Sequence, residues 1–229
     1  MFFSECEGVH RPINVCVLES KVFVIGGRTY GDLHNHLKQH KKLSEVQAAP
    51  IFRQILTLVR DAHRRNIALR DLKLKNFVFE DPERSILSLR YLDDAKLLDP
   101  SGQLTDRHGC PAYVCPEMLQ PGSYSGKAAD MWSLGIILYT LLVGHYPFFD
   151  TNPQTLFSKI RSGYYDVPDH VSYLARSLIS SLLAFEPHRR ASPDAVLRHP
   201  WFSRTPDESF ITPPPSVLDK DQTVPLKIY

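Results

Sequence analysis

The 229-residue chain is short of cysteine, has no strong excess of either charge and carries no long apolar run, and each shortage removes a class of protein. Its four cysteines, Cys6, Cys16, Cys110 and Cys115, form no C-x-x-C pair and flank no metal-spaced histidine pair, so reduced thiols are expected and a zinc site is not. The ten histidines are scattered along the chain. Lys and Arg number 27 against 25 Asp and Glu, and a formal charge of +2 argues against nucleic acid as a partner. The longest apolar stretch, Met131 to Val143, is interrupted by Ser133, Gly135 and Thr140. It falls short of the roughly 18 to 20 residues a membrane span needs and reads as a buried helix. Met1 is followed by Phe2, Phe3, Ser4, Glu5 and Cys6, without the basic start and apolar run of a secretory signal, so no export is expected.

What is present changes character along the chain. Ile13 to Leu18 and Val22 to Ile25 are β-rich and separated by Glu19, Ser20 and Lys21, which predicts a hairpin. Ser44 with Gln47 is a capping-box pair. Val46, Ala49, Phe52, Ile55, Leu56 and Val59 follow at helical spacing and predict a helix over about 45–64, with Pro50 inside it as its weak point. Phe77 to Phe79, Ile86 to Leu89 and Ala95 to Leu98 read as short strands, and Ala128 to Val143 as the central, most apolar helix. Further helices are predicted near 154–161, 172–184 and 193–198, the last capped by Ser192 with Pro193 at its first position. Beyond Phe202 the prolines Pro206, Pro213, Pro214, Pro215 and Pro225 predict an extended tail without a core of its own.

Arg70-Asp71-Leu72-Lys73, with Asn76 three residues on, matches the second part of the protein-kinase catalytic loop, H-R-D-L-x-x-x-N, with its spacing intact. The chemistry needs these types: an Asp to accept the substrate hydroxyl proton, a Lys to offset phosphoryl charge, and an Asn oxygen for magnesium. Pro116-Glu117 stands where an A-P-E ends the activation segment. Asp130-Met131-Trp132 and Glu186-Pro187-His188-Arg189-Arg190 follow, which predicts a structural ion pair of Glu117 with Arg190 and a structural role for Asp130. The expected fold class is therefore α+β and protein-kinase-like, mainly the helical C-terminal lobe with a residual β-hairpin of the N-terminal lobe. Its expected divisions are an N-lobe and hinge remnant (1–30), the helical lobe (31–204) and a disordered Pro-rich tail (205–229).

The ATP half departs from an active kinase. Gly26, Gly27 and Gly31 follow the second strand and lead into Asp32-Leu33-His34, the place of the hinge, so they do not read as a phosphate loop. No D-F-G follows Asn76. Tyr91-Leu92-Asp93 occupies its approximate place, which puts an aromatic where the magnesium-holding carboxylate belongs. No resident metal, ATP or magnesium is expected, and Asp71, Lys73 and Asn76 read as a vestigial loop. The rival reading is a serine/threonine kinase that uses Asp71 with Asp93 or Asp94 on the metal.

Leu69-Arg70-Asp71-Leu72-Lys73-Leu74-Lys75, then Phe77-Val78-Phe79, His108-Gly109-Cys110-Pro111-Ala112-Tyr113-Val114 and Ser123-Tyr124-Ser125-Gly126-Lys127-Ala128-Ala129-Asp130 together resemble the Tribbles pseudokinases. His199-Pro200-Trp201-Phe202 and Asp221-Gln222-Thr223-Val224-Pro225 are similar to elements of that family too. The resemblance implies an adaptor. Its helical lobe would dock a degradation substrate, a CCAAT/enhancer-binding-type transcription factor. Its tail, through Asp221, Gln222, Val224 and Pro225, would engage an E3 ubiquitin ligase of the constitutive-photomorphogenic type. The segment His199, Pro200, Trp201 and Phe202 would serve partner binding, a MAP kinase kinase among the partners, although two aromatics after a terminal helix are also expected to close a core. Nuclear and cytoplasmic placement is implied, without nucleic acid or membrane. Leu226 stands where the family usually has an acid, and Asn76 where it commonly has a basic residue. The short upper lobe leads to the expectation of an unlatched tail or of missing first exons.

Overall fold

A computed structural model describes residues 8–19 and 21–203. Strands β1 (Pro12–Leu18) and β2 (Lys21–Gly26) form the expected antiparallel hairpin. Gly8, Val9 and His10 connect it to the lobe through backbone bonds with Leu89, and the His10 ring meets Glu80 Oε1 at 2.6 Å. The hairpin itself buries little. Val15, Val17, Val22 and Val24 on one face of the ribbon and Leu18, Phe23 and Ile25 on the other are each about half exposed or more.

Helix α1 (Leu33–His40) starts on Asp32, whose carboxylate accepts from the Asn35 backbone N–H at 2.8 Å. Helix α2 (Glu45–Arg64) opens with the full capping box: the Ser44 hydroxyl accepts from the Gln47 backbone, and the Gln47 side chain accepts from the Ser44 N–H. Its buried face runs through Ala48, Phe52, Ile55, Leu56, Val59 and Ala62. Val46, counted above in the apolar stripe, is 69% exposed. At about 100° per residue it stands roughly opposite Ile55, so the stripe begins at Ala48 instead.

Beyond α2 the chain forms paired short strands: β3 (Ile67–Ala68) with β6 (Lys96–Leu97), β4 (Phe77–Phe79) with β5 (Leu87–Leu89), and β7 (Gln103–Leu104) with β8 (Tyr124–Ser125), all antiparallel. These pairs brace the loops that follow α2. Helix α3 (Gly126–Val143) is capped by Ser125 and closed by Gly144 in the left-handed conformation, φ 92°. By length and composition it is apolar enough to cross a membrane, but 83% of it is buried as the axis of the lobe. Helices α4 (Pro153–Ser162), α5 (Tyr173–Leu182) and α6 (Pro193–Leu197) complete the lobe, and each starts on a side-chain cap, Asn152, Ser172 and Ser192.

Helix α3 meets α5 closely at Gly135, where an added Cβ would lie 2.6 Å from Leu183 Cδ2. Gly135→Ala is therefore expected to lower stability by about 1 to 3 kcal/mol, even though alanine is the better helix former. Denaturant unfolding checks this. An unchanged or raised midpoint would show that α5 yields at no cost.

Candidate functional site

The segment Leu69–Asn76 hangs between β3 and β4 and is fixed from below by Asp130 on α3. Asp130 is fully buried, and its carboxylate accepts from the backbone N–H of Leu69 (2.8 Å), that of Arg70 (2.7 Å) and His63 Nε2 (2.9 Å). This anchor holds Arg70 at φ 67°, a left-handed value that a non-glycine residue adopts only when its surroundings impose it. The Arg70 side chain reaches Asp106 at 2.8 Å, and Lys96 and His108 approach the same carboxylate. Burial raises the Asp106 carboxyl, but the hydrogen bond and charge of Arg70 outweigh it and hold the group below its ordinary range.

The three catalytic-loop residues Asp71, Lys73 and Asn76 are brought together. Asp71 Oδ2 accepts from Lys73 Nζ at 2.5 Å and from Asn76 Nδ2 at 2.9 Å, and Asn76 Nδ2 also donates to the Asp71 carbonyl. One carboxylate oxygen thus carries both neighbours. Tyr113 covers the loop from the activation segment: its hydroxyl accepts from the Leu74 N–H at 3.3 Å and lies 3.4 Å from the Tyr146 hydroxyl. Burial pushes the Tyr113 phenol well above its usual value, so it stays protonated. Between this segment and the loop, beside Arg70 and Asp71, about 20 Å³ remains, room for about one water. Cys115 is buried, which pushes its thiol up and leaves it unreactive.

On the metal side, the Arg90 backbone donates to the Asn76 carbonyl, so Tyr91 follows directly beside the loop, and its ring lies 4.5 Å from the Arg90 guanidinium. The chain then turns sharply, with the Ala95 N–H donating to the Leu92 carbonyl, and Asp93 and Asp94 form the tip of that turn. Magnesium and ATP are what a kinase fold implies, and these residues do not fit them. A hard divalent ion wants carboxylate oxygen where Tyr91 supplies a phenol, and Lys73 Nζ already lays its positive charge on Asp71 Oδ2. Among the described residues no group of three or more His, Cys, Asp or Glu side chains is placed to hold a metal.

Glu117 and Arg190 form the expected pair, bidentate at 2.6 and 2.7 Å, and the guanidinium also donates to the carbonyls of Ala184, Ala128 and Phe185. Its face lies 4.9 Å from the Trp132 ring, which stacks on Phe148 on its own account. Of the terminal segment, Trp201 is 3% exposed and donates from Nε1 to Glu45 Oε2 at 2.9 Å. The same carboxylate takes the backbone N–H and hydroxyl of Ser172, which ties α2 to the start of α5. Phe202 is half-buried, stacked on Phe52 beneath Arg53, while His199 is half-buried and Pro200 exposed. Trp201 therefore closes the core, and Phe202, His199 and Pro200 keep outward surface. Asp221, Gln222, Val224 and Pro225 lie outside the described residues.

Sequence reasoning singled out neither His63, Asp106 nor Glu45. It also passed over His34, which is buried on α1 with both ring nitrogens lacking a hydrogen-bond partner among the described residues. Burial, then the charge of Lys75, lowers its pKa, with Asp32 opposing and Lys38 adding. The neighbouring His36 is lowered by burial, His40 and Arg84. A folded-state pKa below the unfolded value means that the neutral ring is favoured. The resulting stability is complete above about pH 6.5 and is lost as pH falls through that value. Stability should thus decline below pH 6.5, and less steeply in His34→Leu. Equal acid slopes for the two proteins, measured by urea unfolding, would remove His34 from this account.

A family model for the protein kinase domain matches residues 5–202, and the chain belongs to that family. Tribbles homolog 2 of Mus musculus is 48% identical over 204 residues, covering 86% of this chain and 60% of the relative. Tribbles homolog 1 of Homo sapiens is 46% identical over 215 residues, 93% of this chain and 57% of the relative. Tribbles homolog 3 of Bos taurus is 42% identical over 219 residues, 95% of this chain and 61% of the relative. Within the kinase family the chain is thus of the Tribbles type, as its motifs led one to expect, and it spans about 60% of the length of these relatives.

Proposed function

We propose that the chain is a catalytically silent adaptor. Its helical lobe presents a substrate of transcription-factor type, and its tail recruits an E3 ubiquitin ligase of the constitutive-photomorphogenic type through Asp221, Gln222, Val224 and Pro225. A MAP kinase kinase is the further partner, met at the outward surface of His199, Pro200 and Phe202. ATP and magnesium have no resident role, and the site of action is nucleus and cytoplasm.

The observation that carries the silent lobe is the residue at the metal position. Tyr91 stands where phosphoryl transfer needs a metal-holding carboxylate, although Asp71, Lys73 and Asn76 keep a catalytic-loop arrangement. The likeness to Tribbles homologs 1, 2 and 3 supports the adaptor role. For the tail the support is chemical: Val224 and Pro225 offer a compact apolar anchor of low conformational entropy, and Asp221 and Gln222 set a polar register.

Binding of the full chain to the ligase propeller, wild type against Val224→Ala/Pro225→Ala, tests the recruitment arm. Micromolar binding lost in the double variant is the expected result, and no binding by either form overturns that arm. Incubation with ATP and magnesium or manganese tests the silent arm. Phosphoryl transfer that Asp71→Ala abolishes would sink it and favour the kinase reading with Asp93 or Asp94 on the metal.

A further inference from the structure

Three elements line an open, shallow cavity of about 390 Å³. Arg60, His63 and Arg64 reach it from the end of α2, Ser125 and Lys127 from the start of α3, and Pro187 with the stretch Arg190 to Asp194 forms its third wall. The basic side chains there are not equally occupied. Arg190 is bound bidentately by Glu117, and His63 is held by Asp130. Arg60 engages Asp61 through Nε alone at 2.8 Å, which leaves both terminal amino groups of its guanidinium for a ligand. Arg64 uses Nη2 alone, toward Asp194 at 2.9 Å, and 61% of its side chain is exposed. Lys127 donates to a neutral amide oxygen, Asn66 Oδ1, at 2.8 Å, so its charge meets no carboxylate there.

We infer that this cavity is a docking site for a phosphorylated peptide, the phosphoryl group lying among Arg60, Arg64 and Lys127. An incoming carboxylate would only exchange with Asp194 on Arg64. A phosphoryl group brings close to two charges and three acceptor oxygens, enough to engage all three cations at once. The 18-residue helix α3 adds the positive end of its dipole beside Lys127. The remaining walls, Ala128, Met131, Pro187 and Pro193, are apolar and suit the side chains flanking a modified residue, which a free phosphate would leave uncovered. Asp194 is the anion that the cavity wall itself supplies: its carboxylate holds Arg64 and lies close enough to act on the charge of Arg60.

The test is fluorescence anisotropy of the full chain with an oriented peptide library fixed at phosphoserine, beside the same library with serine. The phosphorylated library is expected to bind, and the serine library to bind at least about tenfold more weakly, as the loss of charge-assisted hydrogen bonds requires. Arg60→Ala and Lys127→Ala should each weaken binding by about tenfold, Arg60→Lys should restore part of it, and Asp194→Asn should tighten it. Thermal unfolding of each variant at the wild-type temperature excludes a folding defect as the cause. Equal binding of the two libraries, or no response to the Arg60 and Lys127 changes, overturns the proposal. Inorganic phosphate displacing the peptide at an equal concentration overturns it too, since the pocket would then recognise a small anion alone. This site goes beyond the adaptor reading and stands whether or not the tail binds a ligase.

Discussion

Asp130→Ala is expected to cost about 3 to 5 kcal/mol, a large share of the stability of a domain of this size. The substitution does more than delete a carboxylate. It leaves the N–H groups of Leu69 and Arg70 buried without an acceptor and removes the partner of His63. It also releases the left-handed residue Arg70, whose φ of 67° that anchor imposes. The loss should therefore be twofold: a lowered unfolding midpoint, and raised amide exchange confined first to residues 67–76. Asp130→Asn keeps one acceptor oxygen and should fall between wild type and alanine. A loss below about 1 kcal/mol for Asp130→Ala would mean that water replaces the carboxylate, and that the loop is held by its own strand pairs.

Arg190→Ala is expected to be as severe, about 3 to 5 kcal/mol, because it strands the Glu117 carboxylate and opens three carbonyls that the guanidinium now serves. The Arg190 side chain is 1% exposed and the Glu117 side chain 14%, so solvent cannot replace the pair cheaply. Replacing both members with Glu117→Leu/Arg190→Met should recover much of the loss, because a buried ion pair often contributes no more than a packed apolar pair of the same volume. The full double-mutant cycle, read by urea unfolding, separates the two ideas. Additive losses would show that the carbonyl contacts, and not Glu117, account for the role of Arg190.

The helices were legible because their signals are local. Ser44 with Gln47 and Ser192 with Pro193 mark helix starts within four residues, and the 3.6 period of α2 and the unbroken apolarity of α3 set their burial. Glu117 and Arg190 were legible as motif residues, since their spacing belongs to the activation segment and to the end of the lobe. Asp71, Lys73 and Asn76 were legible as a loop, but not the fact that one oxygen of Asp71 receives both neighbours. What sequence could not give were partners far apart in the chain. His63 meets Asp130 across 67 positions, and Glu45 meets Trp201 across 156. No periodicity records such a contact. Val46 misled because each i+3 step falls about 60° short of a full turn, so the three steps from 46 through 49 and 52 to 55 carry the stripe round to the opposite side of the helix.

The hairpin β1–β2 has a kinetic meaning. Ile13, Val17, Val22 and Val24 bury so little against the lobe that strand opening there breaks ladder bonds without disturbing the core, so its opening free energy is set locally. Two protection classes are therefore expected. The ribbon should exchange its amides through frequent small openings, and α2 and α3 only when the whole lobe unfolds. A substitution in the ribbon shifts the first class and leaves the second untouched. Its apolar residues are consequently free to vary without a thermodynamic penalty to the lobe, and what constrains them is the adhesiveness of an uncovered strand edge.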